Sequence, residues 1–205
     1  MYSILIKAFS RADRFKESRE TFEEAMLDDS IIPDIQLMNS YLASVVRSGS
    51  YSQAEYVFDS IIELQLAPSF GTFIPLIRSR LRNGDVEGAF ELYDNSLELS
   101  ARLQESPPLQ TFELMLDLCI KRRRWVDLTN VLRQMEDKGY GKQKMKYEEI
   151  LKTFLLKNSG EIERSSDVGQ NTNNLEMLKF WLGLPNEYYA SRDSHSDWKW
   201  WNDSV

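Results

Sequence analysis

The stretch that decides the fold is MNSYLASVVRSGSYSQAEYVFDSIIELQLAPS, residues 38 to 69. Apolar residues recur every three or four positions on both sides of a break at Ser48-Gly49-Ser50, which predicts two amphipathic helices. Pro68 follows the second helix, where its fixed φ and missing N–H stop helix formation. The stretch therefore predicts a helical hairpin.

The spacing of this hairpin recurs along the chain. Three series of apolar residues share the irregular steps of 36, 35 and 39 residues: Tyr2, Met38, Phe73 and Phe112; Phe15, Tyr51, Val86 and Trp125; Phe22, Phe58, Tyr93 and Leu132. The first series continues to Tyr147. One hairpin has too little apolar surface to fold alone, so neighbouring hairpins must stack. The sequence predicts an all-α fold, an α-solenoid of about four stacked 35-residue hairpins.

The period divides the chain into an array and a C-terminal part. The predicted repeats cover residues 1–34, 35–69, 70–108 and 109–143, with a partial fifth at 144–157. Residues 158–174 are polar and without periodicity, which predicts a flexible linker. Residues 175–205 are predicted to form a helix from Leu175 to Leu182 that caps the array, and then a tail.

The tail is rich in aromatic residues: Trp198, Trp200 and Trp201 lie close to its end. Aromatic side chains supply much of the binding energy at protein interfaces. The tail either folds back on the array or binds a partner, which is another protein or a second copy of the chain.

The charge balance excludes a general binder of polyanions. The 205 residues include 25 Lys and Arg against 32 Asp and Glu, a formal net charge of −7, so any attraction to nucleic acid has to be local. No apolar run approaches the roughly 20 residues that cross a bilayer, and we expect no membrane association. The first residues, MYSILIKAFSRADRF, lack the features of a secretory signal or a transit peptide, so we expect no targeting segment in this chain.

The chain also lacks the residues of common catalytic sites. It has one histidine, His195, and one cysteine, Cys119, too few for a zinc site or a histidine-based triad, and no glycine-rich phosphate loop. Cys119 lies on an apolar stripe and is predicted to be a small buried hydrophobe. We predict no enzyme, no metal and no cofactor.

The repeat resembles a known family. Its Leu-Ile opening, Gly-containing turn, Ala-x-x-x-Phe second helix and Pro-Asp close, best seen in YSILIKAFSRADRFKESRETFEEAM and in residues 38–69, are similar to the pentatricopeptide repeat. The resemblance covers about residues 1–143. It implies a short array of the plain type, found in plant-like organellar proteins, that binds single-stranded RNA at one base per repeat. It also implies a location in chloroplast or mitochondrion.

The resemblance implies which residues read bases. In the family, a polar residue early in the first helix acts together with the last residue of the repeat. Carried over to this chain, the pairs are Ser3 with Asp34 and Asn39 with Ser69. The first resembles a purine-reading combination that favours G, and the second a pyrimidine-reading combination that favours C.

Other positions depart from the family pattern. The third and fourth repeats carry Ile74 and Glu113 at the early position, and base reading there is left open. Where the family commonly has an apolar residue that sandwiches the base, this chain has Gln36, Gly71 and Gln110. Base stacking is therefore predicted to be weak.

Cations recur at the end of every first helix. Arg11, Arg47, Arg82 and Lys121 follow the same steps of 36, 35 and 39 residues, which is consistent with a track for RNA phosphates. They are equally consistent with basic residues that interact favourably with helix C-termini. The cluster of residues 121–124 could bind a phosphate or an acidic partner, or be a solvated turn.

The leading interpretation is a non-catalytic RNA-binding protein of an organelle, acting in splicing, processing, stability or translation. The alternative is a protein-binding scaffold subunit of an organellar ribonucleoprotein, ribosome or transcription assembly.

Overall fold

A computed structural model of the chain describes residues 1–164 and 170–186, which contain helices and no strand. The predicted all-α class is confirmed. Eight helices form four hairpins: α1 (Tyr2–Arg11) with α2 (Phe15–Leu27), α3 (Ile35–Ser48) with α4 (Tyr51–Glu63), α5 (Phe70–Asn83) with α6 (Val86–Leu103), and α7 (Leu109–Arg122) with α8 (Trp125–Asp137). Two further helices follow, α9 (Gly141–Arg164) and α10 (Gln170–Trp181).

The chain forms two compact units, a first unit of Met1–Met115 and a second unit that begins at Leu116. In the first unit, consecutive hairpins pack on each other, because α3 contacts α1, α2 and α5 as well as its own partner α4. The rings of Phe22 and Tyr41 stack with centroids 3.9 Å apart. The hydroxyls of Ser18 and Ser44 share a buried hydrogen bond of 2.7 Å. Aromatic packing and a polar contact therefore join the first two repeats.

Small residues at one place in the second helices allow this close packing. Ser18, Ala54 and Ala89 are fully buried, at 0% exposure each. The fourth hairpin has Leu128 there, which is also fully buried. Since a longer side chain would force packed helices apart, the recurring small residue explains why the first three second helices fit against their neighbours.

The second unit packs α9 and α10 against α8. Its core contains Trp125 at 1% exposure, which is the buried role that the repeat period predicts for this residue. Leu151 and Leu155 of α9 are buried, and so are Leu175 and Leu178 of α10. The predicted helix near Leu175 is therefore present, and it covers α8.

The segment predicted to be a flexible linker, residues 158–174, is helical at both of its ends. Helix α9 begins at Gly141 and continues to Arg164, past the predicted end of the partial fifth repeat at 157. Helix α10 begins at Gln170, five residues before the predicted start of the cap. No proline lies between residues 109 and 184. Because helical hydrogen bonds join backbone groups, a polar segment without an apolar stripe can still continue a helix.

Each hairpin turns through one residue with a left-handed backbone at the same place. These residues are Asp13, Gly49, Gly84 and Arg123, with φ between +55° and +87°, and they keep the steps of the repeat. Glycine adopts this conformation without a steric cost, whereas a side chain does not. The turn predicted at Gly49 is confirmed in position, and glycine at Gly49 and Gly84 fits the left-handed backbone found there. Among the described helices, none is long and apolar enough to span a membrane.

The substitution Gly84→Ala isolates the cost of this backbone. An added Cβ would meet nothing within 4 Å, so only the positive φ of +82° opposes it. We expect a loss of about 1 kcal/mol, measured as a lower midpoint in urea unfolding followed by circular dichroism. Gly141→Ala is the matched control, because the added Cβ also meets nothing there and Gly141 begins a helix without positive φ. Equal destabilisation by both substitutions would contradict the turn assignment.

Candidate nucleic-acid interface

The structure brings one predicted base-reading pair into direct contact. The amide nitrogen Nδ2 of Asn39 donates to Oγ of Ser69 over 3.0 Å, between the first helix of one repeat and the start of the next. Thr72 completes the arrangement, since its hydroxyl donates to Oδ1 of Asn39 over 2.7 Å. Ser69 and Thr72 also cap α5, each side chain bonding the other's backbone N–H. Asn39 is thus held in one orientation by two partners.

Gly71 gives this pair its room. A Cβ at Gly71 would lie 3.1 Å from Nδ2 of Asn39 and 3.4 Å from Oγ of Ser69. Gly71 offers no apolar side chain for a base to stack on, and weak base stacking stays a prediction. The same absence leaves the Asn39–Ser69 contact uncrowded, and Asn39 and Ser69 both stay partly exposed.

The other predicted pair is not joined. The structure places Ser3 half-buried on α1, and no hydrogen bond links it to Asp34 within the described residues. The carboxylate of Asp34 instead caps α3, accepting from the backbone N–H of Leu37 over 2.7 Å. A cap of this kind stabilises a helix by about 1 kcal/mol. Asp34 therefore has a structural role as the N-cap of α3.

Two arginines of the basic series bind the preceding repeat. Nη1 of Arg82 donates to the backbone oxygen of Val46 over 2.9 Å, and Nη2 of Arg47 donates to that of Arg11 over 3.5 Å. Each arginine reaches back 36 residues, to the last turn of the previous first helix. The carbonyls of a last turn carry the negative end of the helix dipole, and that of Val46 also accepts from the backbone N–H of Gly49 over 3.2 Å. Arg47 also forms an ion pair of 3.1 Å with Asp13.

The remaining two cations of the series differ from this pattern. Lys121 pairs with Asp117 of its own helix over 2.6 Å, with both side chains well exposed. Arg11 is exposed at the end of α1 and supplies a backbone oxygen to Arg47. All four cations of the basic series are exposed, and two of them, Arg47 and Arg82, also bind the carbonyls of a helix end.

The sequence reasoning missed Arg80, the best-connected arginine of the first unit. Its guanidinium binds both carboxylate oxygens of Glu55, at 3.1 and 3.0 Å, and donates to the backbone oxygen of Gly88 over 3.2 Å. Hydrogen bonding to Glu55 raises the pKa of Arg80 above its ordinary value. Arg80 thereby links α4, α5 and α6. The repeat period does not predict these contacts, because the other hairpins do not have Arg, Glu and Gly at the positions of Arg80, Glu55 and Gly88.

Other predicted features lie apart from this interface or outside the described residues. Burial raises the pKa of the Cys119 thiol to about 12, which keeps it protonated and agrees with the predicted hydrophobic role. Trp198, Trp200 and Trp201 lie outside the described residues. No group of side chains that could hold a metal ion is found in residues 1–164 and 170–186.

The comparisons with known proteins agree with the repeat. The sequence profile of the PPR repeat matches residues 1–28. The chain is 23% identical over 218 residues to the chloroplastic pentatricopeptide repeat-containing protein At3g09650 of Arabidopsis thaliana, covering 97% of this chain and 27% of that protein. It is 27% identical over 116 residues to the chloroplastic pentatricopeptide repeat-containing protein At1g30610 of the same plant, covering 53% of this chain and 11% of that protein. The resemblance to the pentatricopeptide repeat family is confirmed.

Solved structures of a pentatricopeptide repeat protein show the same fold. The crystal structure of PPR10 in complex with an 18-nt psaJ RNA element matches with a TM-score of 0.61 at 17% identity, covering 87% of this chain and 27% of that chain. The crystal structure of PPR10 from maize matches with a TM-score of 0.54 at 19% identity, covering 87% and 26%. The helical hairpins of this chain thus share the fold of the PPR10 structures, which is the predicted solenoid type.

The capping role of the arginines predicts a stability effect. Arg47→Ala and Arg82→Ala each remove a charged donor from a helix end, and we expect each to cost about 0.5 to 1.5 kcal/mol. That corresponds to a fall of roughly 1–6 °C in thermal midpoint for a chain of this size. Lys121→Ala is the matched control, because its partner is exposed and on the same helix. An equal fall for Lys121→Ala would show that the carbonyl contacts carry no specific stability.

Proposed function

We propose that the chain binds single-stranded RNA through its pentatricopeptide repeats and catalyses no reaction. The observation that carries the proposal is the Asn39–Ser69 contact, because the two residues implied as base readers meet at a repeat junction. The fold that the chain shares with PPR10, whose crystal structure contains an RNA element, supports it. RNA would be a ligand that the chain holds and presents to other factors.

The hydrogen bonds around Asn39 leave groups for a base. A primary amide has two N–H donors and two acceptor lone pairs, and one of each is used by Ser69 and Thr72. One donor and one acceptor remain on the same fixed amide plane. A base edge that presents an adjacent acceptor and donor pairs with that plane. Because the orientation is set before RNA arrives, little side-chain entropy is lost on binding.

Phosphates would be attracted by the basic series in spite of the net charge of −7. A guanidinium has five N–H donors, and the bond from Arg82 to Val46 uses one of them. Arg11 and Arg47 are exposed as well. The chain would therefore bind RNA with a strong dependence on salt, since the attraction is local and electrostatic.

We place this activity in organellar RNA metabolism, in splicing, processing, stability or translation. The support is that the two relatives from Arabidopsis thaliana are chloroplastic proteins. The chain spans about a quarter of the length of the first and a ninth of the second.

The RNA proposal is tested with oligonucleotides and salt. We expect a pyrimidine-rich oligonucleotide to bind more tightly than a purine-rich one, by about 1–3 kcal/mol in binding free energy for the base at Asn39. Asn39→Ala should abolish this preference. The variant with alanine at Arg11, Arg47, Arg82 and Lys121 should lower the slope of log K against log salt by about 0.7 for each lost contact. Fluorescence anisotropy at several salt concentrations measures both. An unchanged slope in a folded variant would contradict the phosphate track.

A protein-binding role is the second candidate, and an acidic concavity favours it. Glu20, Glu23, Glu24 and Asp28 of the first hairpin line an open surface together with Tyr2. The hydroxyl of Tyr2 donates to Glu24 over 3.3 Å, and burial together with Glu24 raises the pKa of that phenol. Such a surface repels RNA and would attract a basic protein segment. The chain would then act as a scaffold subunit in a larger assembly.

The tail is the other proposed protein contact, as the site of a partner or of a homodimer. Deletion of residues 191–205 removes Trp198, Trp200 and Trp201. We expect thermal unfolding to change little and self-association, measured by analytical ultracentrifugation, to be lost. A truncated chain that melts several degrees lower and still self-associates would identify the tail as part of the fold and end its proposed role in binding.

A further inference from the structure

Two adjoining concavities of the second unit are lined by none of the predicted base-reading residues. One, of about 100 Å³, lies between α8 and α10 and is lined by Asn130, Arg133, Phe180 and Trp181 among others. The other, of about 330 Å³, lies at the turn before α8 and is lined by Arg122, Arg123 and Arg124, here named the arginine turn. Val126 lines both concavities, so they adjoin.

The smaller concavity has the size and chemistry for one planar ring. Its volume is well below the roughly 300 Å³ of pockets that bind whole small molecules. The side chains of Met177, Phe180 and Trp181 give it apolar and aromatic walls, and Asn130 supplies an amide at an exposed position. The ammonium of Lys144 lies 5.2 Å from the centroid of the Trp181 ring and is paired with Glu136 and Glu148, so it contacts the ring without adding net charge.

The charge around both concavities is opposite to that of the chain. Four arginines and one aspartate line them, in a chain of net charge −7. Asp127, the aspartate, is paired with Arg124. Arg122 and Arg133 are exposed, and neither has an ion pair within the described residues. The surface therefore favours an anion close to a ring.

We propose that this surface binds one nucleotide of single-stranded RNA, with the base in the α8–α10 concavity against Trp181 and Phe180 and the phosphate on the arginine turn. The inference rests on the proposed RNA binding and adds a site that the repeat pairs do not supply. Aromatic walls beside a cationic track are what single-stranded nucleic acid requires, since every base can stack. An acidic protein segment would satisfy the arginines and leave the aromatic concavity without a reason.

The test follows Trp181 directly. In ¹⁵N-labelled full chain, the indole signal of Trp181 is identified by its loss in Trp181→Phe, and a uridine decamer is then added. We expect this signal to shift on binding. Trp181→Ala should lower the affinity for the decamer roughly 5- to 150-fold, which corresponds to the loss of one stacked base. Trp181→Phe keeps an aromatic ring and should retain most of the affinity.

Charge variants separate the phosphate contact from folding. Arg122→Ala should lower the magnitude of the slope of log K against log salt concentration by about 0.7. Arg102 is an exposed arginine of α6, and Arg102→Ala should leave this slope unchanged. Circular dichroism checks that the total helix content and the thermal midpoint of each variant are unchanged. Arg122→Ala serves as the variant least able to disturb folding, because its side chain is exposed.

The outcomes distinguish this site from RNA binding in general. If the decamer binds while the Trp181 signal and the Trp181→Ala affinity stay unchanged, the inferred site is overturned and the proposed function stands. If the full chain binds no RNA, both fail. If poly-glutamate shifts the Trp181 signal and the decamer does not, the surface takes an acidic protein, and the nucleotide site is overturned as well.

Discussion

Burial of apolar surface between successive hairpins is the constraint on which the rest of the first unit depends. No hairpin of this length can cover its own apolar stripe, so each one is completed by the next. The stacked rings of Phe22 and Tyr41 and the buried bond between Ser18 and Ser44 are direct results of that stacking. The contact between the two predicted base readers is another, because Asn39 and Ser69 meet only when the third helix and the fifth lie side by side.

Stacking also gives the basic series a double role. Arg47 and Arg82 neutralise the carbonyl ends of the preceding first helices and still keep donors for phosphate. The sequence left open whether these cations face RNA or support helix ends, and for these two the structure shows the helix contact directly. In the proposed function, RNA affinity and repeat stability would therefore depend on the same side chains, so an RNA-binding defect in such a variant needs a stability measurement beside it.

The acidic composition becomes consistent with RNA binding once charge is considered locally. The acidic side chains of the first hairpin gather on one concavity, and the arginines of the second unit gather on another. Because screening limits electrostatic attraction to about 8–10 Å at physiological salt, a ligand responds to the charges nearest to it rather than to the net charge of the chain. One chain can thus present an acidic surface to a protein and a basic surface to RNA without contradiction.

The sequence by itself determined the helices, the hairpin turns and the repeat, because apolar spacing, proline and glycine act within a few residues of the chain. Even the left-handed backbone conformations of Gly49 and Gly84 follow from residue type, because glycine adopts a positive φ without steric cost. Tertiary structure alone decided the partners: Thr72 orienting Asn39, Arg82 reaching Val46, and α10 packing on α8. These contacts join residues 33 or more apart in sequence, or separate helices, and no local pattern specifies which side chains packing will bring together.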